Sequence, residues 1–153
     1  MADLDFQLFD GDNHYYEAED AFIRHMERPM QRRCMQWAEV NGRKSLLVAG
    51  KVNRFIPNPT FDPVARPGCL DDYYQGKNKA GASIRDAFGE LEPIHAEYRD
   101  REARLRVMDE QRVQGAFFFP TLGVGMEEAL IDDPEAVIAA FRAFNRWIQE
   151  DWG

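Results

Sequence analysis

GAFFFP, at residues 115–120, places four consecutive apolar residues between a glycine and a proline. Polar and apolar residues do not alternate in this run, which is typical of a strand buried on both faces of a parallel sheet. Parallel strands need a crossover connection, usually a helix, so the flanking segments indicate the architecture.

Helices are predicted on both sides of this strand. Residues 96–113 carry two acid-first ion pairs at i, i+4 spacing and two apolar residues expected to face inward. The pairs are Asp100–Arg104 and Glu102–Arg106, and the apolar residues are Leu105 and Met108. The second helix begins at Asp133 as an acidic cap, with Pro134 at its first position. Its broad apolar face comprises Val137, Phe141, Phe144 and Ile148, with Ile138 and Trp152 beside them.

The first half of the chain is more irregular. Residues 3–9 predict a strand that leads into a turn-rich polar segment at residues 10–14, and residues 19–26 predict a short helix ended by Pro29. The β-like runs 33–40 and 44–48 flank Asn41-Gly42, a pair that predicts a tight hairpin turn. Residues 50–81 are predicted to be an irregular loop, followed by a short helix at 83–91.

The order strand, insertion, helix, strand, helix predicts an α/β fold that begins a right-handed βαβα series. The hairpin, at about residues 33–49, is interpreted as an insertion. Two parallel strands cannot cover the broad apolar face of the last helix by themselves, so that face needs a larger partner surface.

Composition excludes several classes of protein. Lys+Arg 19 and Asp+Glu 27 give a net charge of −8, which argues against nucleic-acid binding. Hydrophobic residues form 44% of the chain, too many for a disordered protein, and no apolar run is long enough to span a membrane. The start of the chain is acidic, unlike a secretory signal. We therefore expect a soluble, cytoplasmic chain whose two cysteines, Cys34 and Cys69, stay reduced.

Asp12 and His14 are the candidate metal ligands. Residues i and i+2 of an extended segment point to the same side, so this carboxylate and this imidazole can converge on one ion such as zinc. The alternative is that Asp12 closes an Asx-turn while His14 bonds to a backbone carbonyl, and the spacing alone leaves both interpretations open.

Four segments resemble the amidohydrolase-related family of metal-dependent TIM-barrel enzymes, in the branch that includes aminocarboxymuconate-semialdehyde decarboxylase-like enzymes. FDGDNHYYE, at residues 9–17, is similar to the family's opening strand. Residues 104–111, leading into 117–123, resemble its first core helix and second strand, and residues 141–147 resemble the next helix.

This resemblance implies both a fold and a site. In the family the first strand ends in a His-x-His or acid-x-His pair that binds the metal, and the pair maps onto Asp12 and His14. A His from a middle strand and an Asp from the last strand complete the site, in a barrel of about 250 residues. We therefore expect the first two βα units of an incomplete TIM (β/α)8 barrel, the N-terminal portion of a larger enzyme and inactive alone.

The function implied is that of a metal-dependent hydrolase, in which a divalent metal, expected to be zinc, activates water for attack on a carbonyl-type bond. The substrate is expected to be a small molecule, and no catalytic residue other than the two ligands is expected within the chain. One alternative is a metal-dependent non-oxidative decarboxylase of the same family. Another is a small non-catalytic α/β module whose last helix forms a binding or homo-oligomer interface.

The remaining motifs are weaker candidates for a functional site. Gly123-Val124-Gly125 lacks the third small residue of a dinucleotide fingerprint, because Glu128 stands there, and we interpret the glycines as permitting a tight turn. His25 and His95 lie away from predicted strand ends and are poor metal ligands. Cys34 and Cys69 are interpreted as structural thiols.

Overall fold

The structure, a computed structural model, describes residues 5–56, 58–77 and 83–153. The described chain divides into two compact units, one within Met1–Pro59 and Ala96–Gly153 and the other at Thr60–His95. No helix in the described ranges has the length and hydropathy that crossing a membrane requires.

The helices and strands follow one another in mixed order. They are β1 (Leu8–His14), α1 (Arg28–Cys34), β2 (Met35–Val40), β3 (Arg43–Val48), β4 (Lys51–Val52), β5 (Val64–Ala65), α2 (Asp71–Tyr74), α3 (Ile84–Ala87), β6 (Leu91–Glu92), α4 (Arg101–Glu110), β7 (Val113–Phe119), α5 (Met126–Ala129) and α6 (Pro134–Asp151). Two 3₁₀ turns, Ala96–Tyr98 and Gly123–Gly125, precede α4 and α5.

β1 and β7 form a two-stranded parallel sheet. Phe9 pairs with Gly115 and His14 with Phe119, so the carboxyl ends of both strands lie at one edge. The order β1, α4, β7, α6 confirms the predicted order of strand, helix, strand and helix. The eight-stranded barrel remains a prediction.

The opening strand lies further along the chain than predicted. It spans Leu8–His14, not residues 3–9, of which residues 3 and 4 lie outside the described part. The polar segment predicted to be turn-rich is therefore part of the strand. Pairing with β7 accounts for this, and the register shifts between Asp10 and Asn13, where the Asp10 carboxylate accepts bonds from the Asp12 amide and from Asn13 Nδ2.

Residues 19–26 form successive turns instead of the predicted helix. Pro29 does not end a helix but stands in the first turn of α1, where its missing N–H costs nothing. Phe22 and Met26, the apolar pair of this segment, are both buried, so the spacing located core residues correctly although the local conformation was wrong.

The predicted hairpin is present in the first unit. β2 and β3 pair antiparallel from Met35↔Val48 to Val40↔Arg43, and Asn41 and Gly42 adopt φ of 53° and 73° at the turn. β4 adds a third strand to this sheet. Arg33 and Cys34, which we assigned to the first β run, belong to α1.

The region predicted as an irregular loop contains short elements. β4 lies at its start, and β5 and α2 fall within the second unit. In that unit β5 pairs antiparallel with β6, and Ser83 caps the start of α3 in a capping box with Asp86. Residues 57 and 78–81 of the predicted loop lie outside the described residues.

The helix predicted at residues 96–113 is shorter than expected. A 3₁₀ turn precedes α4, Asp100 caps α4 by accepting from the Ala103 amide, and Val113 already belongs to β7. Met108 is buried as predicted, whereas Leu105 is 47% exposed. Arg104 is buried and does not form the predicted surface pair with Asp100, because its guanidinium points toward the sheet instead.

α6 begins as predicted, with the Asp133 side chain accepting from the Ala136 amide and Pro134 in the first turn. Its buried face differs from the predicted one. The buried residues are Ala136, Ala140, Ala143, Phe144 and Trp147, while Ile138 is 53% exposed. Small residues lie on the buried face because α6 packs closely against α1, and alanine allows this approach.

The described residues cover β7 on one of its two faces only. Phe118 faces Tyr15 and Trp152 on the helix side, whereas Phe117 is 61% exposed and Phe119 is 45% exposed on the other side. The Phe9 ring contacts Phe117 at a centroid distance of 5.1 Å on the same exposed face. This uncovered aromatic face comprises Phe9, Phe117 and Phe119.

The main core of the first unit contains a stack of aromatic rings. Phe22 and Phe144 lie parallel with centroids 4.4 Å apart, and Trp147 follows at 5.5 Å from Phe144.

We expect Phe144→Ala to lower the free energy of unfolding by about 3–5 kcal/mol, because the lost side chain leaves a cavity. Ile138→Ala, on the exposed side of the same helix, should change it by less than about 0.5 kcal/mol. Urea unfolding followed by circular dichroism measures both, and equal losses would contradict this assignment of the core face.

Cys34 is enclosed in the first unit, with 1% exposure, and its thiol donates to the Ala136 carbonyl at 3.2 Å. Burial raises the pKa of Cys34 to about 11, so little thiolate exists near neutral pH.

We expect iodoacetamide to modify Cys69, which is partly exposed, much faster than Cys34 in the native chain. Mass spectrometry of the labelled chain tests this, with labelling in denaturant as the control. Equal native rates would show that the Cys34 environment opens readily.

Candidate metal centre

Asp12 and His14 lie at the carboxyl end of β1. The Asp12 Oδ1 atom is 3.5 Å from His14 Nε2, and the two side chains are 83% and 47% exposed. The side chains therefore converge, as the i, i+2 spacing predicts. The local Asx-type bond belongs to Asp10, whose Oδ1 accepts from the Asp12 amide at 3.0 Å. Whether Asp12 and His14 bind a metal stays a prediction.

The second nitrogen of the His14 ring faces the end of β7. His14 Nδ1 is 3.4 Å from the Thr121 hydroxyl, and that hydroxyl donates to the Tyr15 carbonyl at 2.8 Å. The Phe119 ring lies beside His14 at a centroid distance of 6.0 Å. Thr121 directly follows the strand and Pro120, so the parallel pairing of β1 and β7 brings it to the same edge as His14.

Arg104 holds the end of β1 from the helix side. Its guanidinium donates to the His14 carbonyl and to Asn13 Oδ1, both at 2.9 Å, and to the Glu97 carbonyl at 2.7 Å. Burial lowers the pKa of Arg104, although an arginine remains protonated. Our sequence reasoning missed this residue because its place in an i, i+4 pattern indicated a surface ion pair.

Glu17 organises the loop after β7. This carboxylate is 2% exposed, and its oxygens accept from the backbone amides of Thr121 at 3.3 Å, Leu122 at 2.9 Å and Gly123 at 2.8 Å. Burial raises the pKa of Glu17, and the amide donors act in the opposite direction. Successive backbone amides that face one carboxylate hold the loop beside the candidate ligands.

The glycines of this loop are needed for close packing. A Cβ on Gly123 would lie 3.0 Å from Pro120 Cβ and 3.2 Å from Phe22 Cζ, and one on Gly125 would lie 2.9 Å from a Phe55 ring atom. Neither glycine adopts a positive φ. The predicted reason, freedom to make a tight turn, is therefore replaced by lack of space for a side chain.

The other histidines are engaged elsewhere. His25 Nε2 is 2.9 Å from Glu150 Oε2 near the end of α6, and in the second unit His95 Nε2 is 2.9 Å from Glu92 Oε1. Among the residues that the structure describes, no group of three or more His, Cys, Asp or Glu side chains is placed to hold a metal ion. Within that part of the chain, Asp12 and His14 form at most a partial ligand set.

The donor chemistry of this pair fits a divalent cation. A carboxylate oxygen and a neutral imidazole nitrogen are both ligands of zinc and similar metals. Catalytic zinc sites have three protein ligands and an open position, so two ligands require completion from elsewhere. The arrangement can therefore supply part of a metal centre at the strand ends.

Comparison with solved structures shows a strong similarity. The chain is 44% identical to an amidohydrolase from Mycobacterium avium subsp. paratuberculosis K-10, with a TM-score of 0.90. The chain is related to an amidohydrolase. The match covers 99% of this chain but 40% of the solved one, so the chain spans well under half of that protein's length. No protein-family model and no curated protein matches the sequence.

The Glu17 contacts predict that replacing its carboxylate with an amide lowers the stability of the fold. We expect Glu17→Gln in the amidohydrolase-like chain to lower the free energy of unfolding by about 1–3 kcal/mol at neutral pH, because an amide NH₂ would face backbone N–H donors. Glu128→Gln, on the exposed side of α5, is the matched control and should change it by less than about 0.5 kcal/mol. Urea unfolding measures both, and a neutral effect of Glu17→Gln would remove Glu17 as the residue that holds the loop.

Proposed function

We propose that this chain is part of a metal-dependent hydrolase of the amidohydrolase type and that it supplies two ligands, Asp12 and His14, to a divalent metal, best matched by zinc. The observation that carries the proposal is the 3.5 Å approach of the Asp12 carboxylate to the His14 imidazole at the carboxyl end of a parallel strand. Ligands of α/β enzymes bind at that end of the strands.

The chain's own residues hold and orient the pair. Arg104 fixes the backbone at His14 through the carbonyl and fixes Asn13 through its amide oxygen. Thr121 contacts the imidazole from the loop after β7. A divalent cation bound there supplies a polarised water at neutral pH for attack on a carbonyl-type bond.

The remaining ligands are proposed to lie in residues that this chain does not contain. The similar amidohydrolase is much longer than the matched region, which covers 40% of it. The uncovered aromatic face supports this interpretation, because inward-facing side chains of adjacent strands fill the interior of a TIM barrel. A small self-contained module would leave Phe9 and Phe117 exposed, at 59% and 61%, without a reason.

Hydrolysis is proposed in preference to decarboxylation because the similar solved protein is described as an amidohydrolase. The substrate is proposed to be a small molecule. Assay of a complete enzyme for release of CO₂ would assign the decarboxylase alternative.

Metal titration of the chain tests the proposed ligands. We expect Zn²⁺ to bind to the native chain weakly in isothermal titration calorimetry, because two protein ligands are an incomplete set. Binding should be lost in Asp12→Ala and in His14→Ala, because each substitution removes a donor atom. Both side chains are substantially exposed, so neither variant should lose its fold, which circular dichroism checks.

His95→Ala and Asp132→Ala are the matched controls, since each removes a residue of the same type outside the strand edge. Both should bind Zn²⁺ as the native chain does. Absence of binding by the native chain, or unchanged binding by His14→Ala, would overturn the proposed site.

A further inference from the structure

We propose that Thr121 is a positioning residue that selects the tautomer of His14, with the proton on Nδ1 and the lone pair on Nε2 beside Asp12. The inference deepens the proposed metal site and rests on it for its functional meaning. The tautomer itself can be measured in the metal-free chain.

The argument begins with the single proton of the Thr121 hydroxyl. That proton is used in the 2.8 Å bond to the Tyr15 carbonyl, which can only accept. The hydroxyl oxygen can therefore offer only a lone pair to His14 Nδ1, 3.4 Å away. A favourable contact at that distance requires hydrogen on Nδ1.

The Tyr15 carbonyl is itself well placed. The Tyr15 amide donates to the Phe119 carbonyl at 3.4 Å, which continues the pairing of the two strands past His14. The Arg104 guanidinium fixes the preceding carbonyl, that of His14, at 2.9 Å. Both bonds hold the peptide group directly before the Tyr15 carbonyl, the backbone acceptor that orients the Thr121 hydroxyl.

Asp12 competes for the ring proton. Its carboxylate is 3.5 Å from Nε2 and would favour hydrogen on that nitrogen. However, this side chain is 83% exposed and therefore hydrated, which weakens its pull. A cation bound by the Asp12 carboxylate would offset its negative charge, so the carboxylate would then favour hydrogen on Nε2 less.

Two segments therefore contribute different parts of the proposed site. β1 carries both donor atoms, and Thr121, the second residue after β7, determines which imidazole nitrogen has its lone pair free. A histidine that binds a metal commonly donates its other N–H to a neighbouring oxygen, and loss of such a partner weakens binding by about 10- to 100-fold. Within the described contacts of His14, the oxygen on the Nδ1 side is that of Thr121.

The test is nitrogen-15 NMR of the His14 ring in the metal-free chain, at a pH where imidazole is neutral. The measurement is made in an Asp12→Ala background, which removes the competing carboxylate. We expect the Nδ1–H form to predominate in Asp12→Ala and in Asp12→Ala with Thr121→Ser, which keeps the hydroxyl. Asp12→Ala with Thr121→Val should shift the ring toward the Nε2–H form.

Two results would overturn the proposal. One is a predominant Nε2–H form in Asp12→Ala, a measurement that needs no change at Thr121 and so is safe from any folding defect of the valine variant. The other is an unchanged ring spectrum when Thr121→Val is added. A merely structural role for Thr121 would not move the tautomer.

The zinc titration of the native chain separates this proposal from the proposed function. If zinc does not bind but the tautomer follows Thr121, the metal site fails and the positioning role remains. If zinc binds but the tautomer ignores the hydroxyl, the positioning role fails alone.

Discussion

The buried guanidinium of Arg104 is the interaction on which the candidate site depends. It joins the helix between the two parallel strands to the end of the first strand, through the His14 carbonyl and the Asn13 side chain. Taking a guanidinium out of water is costly, and three oxygen acceptors together with the Phe118 ring offset that cost. These contacts therefore hold the backbone at His14, from which the imidazole extends.

Glu17 performs the corresponding task on the other strand. Its buried carboxylate accepts hydrogen bonds from three successive backbone amides of the loop after β7, and these bonds hold Thr121 beside His14. Arg104 therefore holds the end of β1 from the helix side. Glu17, in the chain after β1, holds the loop after β7 at the same edge of the sheet. The glycine at position 123 makes this possible, because a side chain there would meet Pro120 and Phe22.

Local patterns predicted much of the architecture. The apolar run at residues 116–119 formed a parallel strand, although one of its faces is exposed. The Asn41-Gly42 turn and the Asp133-Pro134 helix start formed as expected, because each depends on a few neighbouring residues. The first strand was displaced because its polar residues satisfy their hydrogen bonds through the partner strand and through Asp10, which no local pattern reports. Residues 19–26 form turns for a similar reason, with Phe22 held by the aromatic stack and not by helical pairing.

The sequence by itself determined that Asp12 and His14 would share one side of an extended segment, because alternation along a strand is a property of the backbone. It also determined the order of strand, helix, strand and helix. Only the tertiary structure decided which residues support that pair. Arg104, Glu17 and Thr121 are distant from each other in sequence, and no local pattern predicts the contacts they make. Their roles arise where burial removes water and leaves each polar group one set of partners.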